Sequence, residues 1–196
     1  MKTYYNARAH EYDDWWLGEG LYANRDRPGW EEELEQLCAL IGGLPRIRTV
    51  DVACGTGFLT RHLRGEVVGL DQSEAMLEVA RSRAPNATFV HGDALALPFP
   101  DSSFERVFTT YFYCHLEEAE RVQFLAEARR VAGELVVVGS IRQGEIAPAR
   151  WEVRRLKDGS TWTVYKRYFD PAELTNELGG GGEVMHAGRW FVVVRA

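Results

Sequence analysis

The sequence is short of the features that mark secreted, membrane-spanning or nucleic-acid-binding chains. Only three of its 196 residues are cysteine (Cys38, Cys54, Cys114). An odd number without Cys-x-x-Cys spacing argues against a disulfide framework and against a zinc site, and fits reduced thiols in a reducing compartment. No apolar run approaches the roughly 20 residues that cross a bilayer. The first residues are charged and aromatic, without the apolar centre of a signal peptide. A cytoplasmic protein without a membrane partner is therefore expected. Basic residues are in deficit, with 23 Lys and Arg against 29 Asp and Glu and a formal charge of −6. Nucleic-acid surfaces normally carry a basic face, so nucleic acid is not an expected partner. His10, His62, His91 and His186 show no ligand spacing, and no metal is expected. There is no internal repeat and no low-complexity stretch beyond Gly179–Gly182.

What the sequence does contain is an alternation of strand and helix patterns. With 45% hydrophobic residues, its length suits one domain with a sizeable core. Tyr4, Arg8, Tyr12, Trp15 and Trp16 fall on one helical stripe. A second helix runs from Trp30 to Ile41 and is ended by Gly42-Gly43. Strands at Thr49–Val52, Val67–Leu70, Thr88–Val90, Phe104–Thr109 and Leu135–Gly139 then alternate with helices. Those helices are expected at Phe58–Leu63, at Glu74–Arg83 (capped by Ser73 and stopped before Pro85) and near Glu117–Val131. Such alternation implies a parallel sheet with right-handed crossovers. Farther on, Trp151–Leu156 and Thr161–Phe169 flank Lys157-Asp158-Gly159-Ser160, and an Asp-Gly turn between β-rich runs signals a hairpin. Asp170, Pro171 and Glu173 read as N-cap, first helical position and capping-box partner. Glu183–His186 and Arg189–Arg195 can pair antiparallel through Ala187-Gly188.

Three strand ends carry the functional signal. Val50-Asp51-Val52-Ala53-Cys54-Gly55-Thr56-Gly57 is a strand entering a glycine-containing turn, the place where open α/β sheets hold nucleoside ligands. Gly55 and Gly57 let the backbone come close to a ligand. Twenty residues beyond Asp51, a second strand pattern ends in Asp71, at the position where a carboxylate grips a ribose diol. A third ends in His91-Gly92-Asp93. A single strand-end acid is usually a helix cap or a loop solvator, whereas three in succession beside two loop glycines point to a site.

These motifs, followed by Gly92-Asp93-Ala94-Leu95-Ala96-Leu97-Pro98-Phe99 and Ser103-Phe104-Glu105-Arg106-Val107, resemble class I S-adenosylmethionine-dependent methyltransferases, specifically the small-molecule type with Gly-Asp-Ala…Leu-Pro-Phe. The resemblance runs from about Thr49 to Ser140, with a looser echo in Tyr4-Tyr5…Arg8-Ala9…Tyr12-Asp13. Two positions depart from the family pattern. Ala53 stands where many members have glycine, and Val131-Ala132-Gly133-Glu134 is shorter than the usual turn before the fifth strand.

The resemblance implies a fold and a division of the chain. The expected fold is α/β: a Rossmann-like, mostly parallel seven-stranded sheet with the last strand antiparallel, helices on both faces, N-terminal lid helices and an inserted β-hairpin. One domain over 1–196 would comprise a helical lid (1–43), a cofactor-binding core (44–140), the inserted hairpin on the acceptor side (141–170), and a last helix with the closing strand hairpin (171–196).

It also implies S-adenosyl-L-methionine as cofactor, S-adenosyl-L-homocysteine as product and a small-molecule acceptor. Ala53, Cys54, Gly55 and Gly57 would line the amino-acid end, with Asp51 beside the ammonium. Asp71 would accept from both ribose hydroxyls, and Gln72 and Met76 would flank the adenine. Asp93 would accept from the adenine amino group, with the Ala94 N–H donating to the ring and Leu95 completing that wall. Thr109, Thr110 and Tyr111 would lie beside the methionine and its methyl. Tyr4, Arg8 and Tyr12 are either a packed aromatic stripe or a lid over the cofactor.

On the acceptor side the residues leave alternatives open. His115 is a candidate general base or a packing residue. Trp15, Trp16, Trp151 and Trp162 line an acceptor pocket or serve as core and dimer contacts. Arg142, Arg150, Arg154, Arg155, Lys157, Lys166 and Arg167 attract an acidic group or form a solvated face. The expected reaction is direct in-line displacement, for which no protein nucleophile is required. The competing readings are a non-catalytic module that binds the same cofactor and a nicotinamide-dependent dehydrogenase. Against the dehydrogenase, Thr60 stands where Gly-x-Gly-x-x-Gly has its third glycine. No Asn-Pro-Pro-Tyr type sequence follows the fourth strand, where Thr109-Thr110-Tyr111-Phe112 stands. A monomer and a homodimer are both compatible with the sequence.

Overall fold

Runs of aliphatic residues short enough for strands and buried on both faces form the centre of the structure, a computed structural model that describes residues 2–196. In chain order it comprises α1 (Lys2–Arg8), α2 (Asp14–Leu17), α3 (Trp30–Gly43), β1 (Thr49–Val52), β2 (Val67–Asp71), α4 (Glu74–Arg83), β3 (Thr88–His91), β4 (Phe104–Thr110), α5 (Glu118–Val131), β5 (Ala132–Ser140), β6 (Ala149–Arg155), β7 (Thr161–Arg167), α6 (Pro171–Glu177), β8 (Glu183–Ala187) and β9 (Phe191–Arg195). Seven strands make one sheet in the order β3-β2-β1-β4-β5-β9-β8, while β6 and β7 pair only with each other. The first five strands of that sheet are parallel, and β9 enters antiparallel beside β5, with Val138 opposite Val193. Val50, Val52, Leu70, Val107, Phe108 and Val136 are fully buried, as strands covered on both faces require.

The helices start where the side chains can cap them. Ser73 accepts from the Met76 N–H at the start of α4, and Asp170 accepts from the N–H groups of Ala172 and Glu173 at the start of α6. Glu117 and Glu120 form a reciprocal capping box at the start of α5. One buried carboxylate ties α3 to the far edge of the sheet. Glu33 accepts from the backbone N–H groups of Arg189, Trp190 and Phe191 at 2.9–3.0 Å and contacts His186 Nε2 at 3.0 Å. Gly188 lies so close that an added Cβ would collide with that carboxylate.

Two local expectations give way. The helix expected at Phe58–Leu63 is a single 3₁₀ turn at Thr60–His62. Immediately after it the chain must reverse at Gly65, whose φ of +105° lets it pack against the Ile47 backbone, and so short a segment cannot sustain an α-helix. The N-terminal stripe is also broken. α1 ends at Arg8, a 3₁₀ turn spans Ala9–Glu11, and α2 starts at Asp14, so the 3.6-residue register is lost between Tyr4 and Trp16.

Candidate functional site

The site is built at the C-terminal ends of β1, β2, β3 and β4. After β1 the backbone passes through three positive φ angles, at Ala53 (57°), Gly55 (56°) and Gly57 (71°). Glycine adopts this region freely, whereas Ala53 holds it at a cost of about 1–2 kcal/mol. The loop is fixed by hydrogen bonds. The Gly55 N–H donates to Asp71 Oδ2 at 2.9 Å and the Ser73 N–H to Asp71 Oδ1 at 2.8 Å, so Asp71 bridges the two loops. Burial raises the Asp71 pKa, opposed by these N–H donors. Asp51 is 3% exposed, and its side chain accepts from the Thr60 hydroxyl at 2.6 Å. Burial pushes its pKa up to about 7. Asp93 turns back to accept from the Leu95 N–H at 2.9 Å.

A pocket of about 210 Å³ lies over these strand ends. Of the residues expected at a cofactor, it brings together Tyr12, Ala53, Gly55, Asp71, Gln72, Asp93, Ala94, Leu95, Thr110 and Tyr111. Asp51 and Cys54 line a small adjoining cavity shared with Tyr12, Ala53 and Thr110. The Thr110 hydroxyl is buried and has no hydrogen-bond partner among the described residues. Tyr12 roofs the glycine loop, its ring atoms 3.7–3.9 Å from where a Cβ on Gly55 would sit.

Five expected residues lie elsewhere, Arg8 among them on the wall of the second pocket described below. Tyr4 packs with Leu156, Val164 and Trp162 beneath the β6–β7 hairpin. Gly57 rests against α4, where a Cβ would stand 3.2 Å from that of Ala80. Met76 is 1% exposed on the buried side of α4, and the Thr109 hydroxyl donates to the Val52 carbonyl at 2.8 Å. Conversely, Tyr5, Leu70, Phe112, Leu116 and Glu120 line the pocket without having been singled out. For Tyr5 a signal existed in the Tyr4-Tyr5 pair, but the helical stripe favoured the wrong one of the two.

A second pocket, of about 660 Å³, opens between the N-terminal segment, the end of β5 and the hairpin. Tyr5, Tyr12 and Tyr111 line both pockets. Arg8, Trp15, His115, Arg150, Arg154 and Lys166 are on its wall. His115 Nδ1 is 2.6 Å from the Tyr165 carbonyl oxygen. A carbonyl only accepts, so Nδ1 carries the proton and Nε2 keeps the lone pair. Burial, reinforced by Lys166, holds the His115 pKa well below the usual imidazole range.

The other residues considered for the acceptor side are occupied differently. Arg142 pairs with Glu173 and Arg167 with Glu177, Trp16 is in the core, and Trp151 is 61% exposed. Among the described residues, no group of three or more side chains could hold a metal ion, and no helix is long and apolar enough to cross a membrane.

Comparison with known proteins agrees with this geometry. Residues 49–134 match the methyltransferase domain family. A demethylmenaquinone methyltransferase of Renibacterium salmoninarum is 40% identical over 103 residues, covering 50% of this chain and 43% of the relative. That of Thermotoga maritima is 37% identical over 99 residues, covering 46% and 42%. The chain thus spans less than half the length of these curated relatives. Among solved structures, the complex of DhpI with SAH superposes with a TM-score of 0.75 at 27% identity, covering 98% of this chain and 92% of the other. The ordered motifs, the seven-stranded sheet and these matches point the same way: residues 49–134 match a methyltransferase domain, and the whole chain is similar in fold to a structure solved with SAH.

Proposed function

We propose that this chain transfers a methyl group from S-adenosyl-L-methionine to a small-molecule acceptor, and that its two pockets hold the two reactants. One observation carries the reading: the pocket over the strand-end acids and the larger pocket share Tyr5, Tyr12 and Tyr111 as a common wall. In-line displacement demands two reactants held on either side of one junction.

The chain's own residues fit the cofactor. Asp51 is a buried carboxylate whose one hydrogen-bond partner among the described residues is a hydroxyl, and a ligand ammonium would offset its desolvation. The unpartnered Thr110 hydroxyl and the Cβ-free space at Gly55 suit the remainder of an amino-acid end. Asp71 would accept from the ribose hydroxyls while keeping its two backbone donors. Gln72 and Leu95 would flank the adenine, Asp93 would accept from its amino group, and the Ala94 N–H would donate to its ring. When bound, the cofactor supplies an electrophilic sulfonium methyl and departs as the neutral thioether S-adenosylhomocysteine. Residues 2–17 would act as a lid, with Tyr12 excluding water from the junction.

Where the acceptor atom carries a proton, His115 Nε2 would receive it. The Tyr165 carbonyl leaves that nitrogen unprotonated, and the depressed pKa keeps the ring neutral at physiological pH.

Two measurements test the proposal together. S-adenosylhomocysteine should raise the melting temperature by mass action, and NAD and NADP should not. Labelled methyl from S-adenosylmethionine should appear in components of a metabolite pool. Cofactor binding without any transfer would mark a non-catalytic module, and a larger shift with a dinucleotide would overturn the reading altogether.

A further inference from the structure

The larger pocket has a charge imbalance that holding the cofactor does not require. Its wall carries six cationic side chains, from Arg8, Arg25, Arg27, Arg150, Arg154 and Lys166, but only two carboxylates, Asp26 and Glu152. Glu152 is already engaged by Arg150, Arg154 and the Tyr168 hydroxyl. Arg8 donates to the hydroxyls of Tyr4 and Tyr22 and lies 4.8 Å from the centre of the Tyr12 ring. Among the described residues no carboxylate is within ion-pairing distance of Arg8 or Lys166.

Lys166 is the most telling of these cations. It is 4% exposed, and Nζ donates to Cys114 Sγ at 2.9 Å and sits 4.5 Å from the centre of the Tyr111 ring. The hairpin register sets Lys166 directly opposite Arg150. Like charges opposed across a ladder destabilise a sheet, and a buried ammonium without a counter-charge costs more still. Burial accordingly lowers the Lys166 pKa. β-Strand alternation puts Arg150, Glu152 and Arg154 on one face of β6, so the cations converge instead of dispersing into solvent.

We propose that this pocket is a subsite for an oxyanionic group, a carboxylate or a phosphoryl, on the methyl acceptor, with Lys166 as its anchor and Arg8 and Arg154 beside it. The oxyanion supplies the counter-charge that Lys166 lacks and fixes the acceptor's orientation toward the Tyr12–Tyr111 junction. The proposal rests on the methyltransferase reading for the word acceptor, but not for the anion site itself.

The test uses the full chain saturated with S-adenosylhomocysteine, so that the cofactor pocket is filled. Inorganic phosphate and acetate are titrated separately at constant ionic strength, with calorimetry and melting temperature as readouts. At least one of the two should bind saturably, and which one does identifies the group. Lys166→Met should weaken that binding by about ten-fold or more, the scale of losing one charge-assisted contact, whereas Lys166→Arg should stay within about three-fold of the original. Arg154→Gln, which leaves the buried ammonium in place, gives a second reading should Lys166→Met fold poorly. Saturable binding of neither anion, or unchanged affinity in both Lys166→Met and Arg154→Gln, overturns the anion site. Should S-adenosylhomocysteine itself not bind, the methyltransferase reading fails, and the same titrations on the free protein still decide the anion site.

Discussion

The hydroxyl of Thr56, in the loop after β1, donates to Asp13 Oδ1 at 2.6 Å, so the N-terminal segment is bonded directly to the glycine loop. Arg83 of α4 pairs with the same carboxylate, and Ser73 reaches Asn6 at 2.5 Å. Asp13→Ala removes two of these ties at once. It should lower stability by about 1–2 kcal/mol and speed the dissociation of S-adenosylhomocysteine. Stopped-flow release and thermal denaturation measure the two effects. An unchanged release rate would show that this segment does not cover the bound ligand.

Asp51, placed beside the cofactor ammonium in the proposed function, would make cofactor binding pH-dependent. Its folded pKa of about 7 lies above the ordinary value of 3.8, so the folded chain holds a proton that the unfolded chain has released between those values. Stability therefore falls as pH rises from about 4 to 7, while affinity for an ammonium-bearing ligand rises through pH 7 as the carboxylate ionises. Asp51→Asn should flatten both dependences. At pH 8 it should melt at or above the wild-type temperature yet bind S-adenosylhomocysteine more weakly. Thermal denaturation between pH 4 and 8 reads the first trend and calorimetric titration between pH 6 and 8 the second.

Asp71→Ala deletes the acceptor proposed for two ribose hydroxyls and should reduce cofactor affinity by about 2 kcal/mol or more. Asp71→Asn keeps the shape without the charge and should fall between. Because Asp71 also receives the Gly55 and Ser73 N–H groups, circular dichroism of each variant separates lost affinity from a displaced loop.

His115→Asn should leave S-adenosylhomocysteine affinity within a few-fold and reduce turnover by about 10²–10⁴ for an acceptor that must lose a proton. An acceptor that reacts without losing a proton should be nearly indifferent to the change. Equal losses on both would assign His115 to packing against β7.

Glu33 offers a test of the frame that is independent of function. Glu33→Ala leaves the N–H groups of Arg189, Trp190 and Phe191, the last of them buried, without their acceptor and should cost about 2–4 kcal/mol in urea denaturation, with cofactor affinity little changed.

The strands were legible because β-branched and aliphatic runs ended in acids at regular intervals, and Asp158-Gly159 announced the hairpin turn. Order along the chain was enough to bring Asp51, Asp71 and Asp93 to one edge of the sheet. The N-terminal segment departs from its helical pattern because its register depends on a break after Arg8. Tyr5 and not Tyr4 then meets the pocket, and helical spacing across a 3₁₀ turn carries no such information. The pattern at Phe58–Leu63 does not show that the helix shrinks to one turn, because Gly65 must reverse the chain against Ile47, a contact between residues far apart in pattern. The second pocket joins residues near positions 8, 25, 115, 140 and 166. That convergence is a tertiary fact, and the local pattern of each segment is silent about it.

The tip of the hairpin is not free of the N-terminal segment. The Lys157 N–H donates to Glu11 at 2.9 Å, and its ammonium meets Asp14 at 2.5 Å. Tyr5 and Tyr12, on that same segment, wall both pockets. One displacement of residues 2–17 would thus unroof both chambers, and the two products would share a single exit. On the proposed function, this would couple the two release events in steady state. The enzyme would follow a sequential bisubstrate scheme without a ping-pong branch, and gate opening, more than methyl transfer, would set the turnover rate.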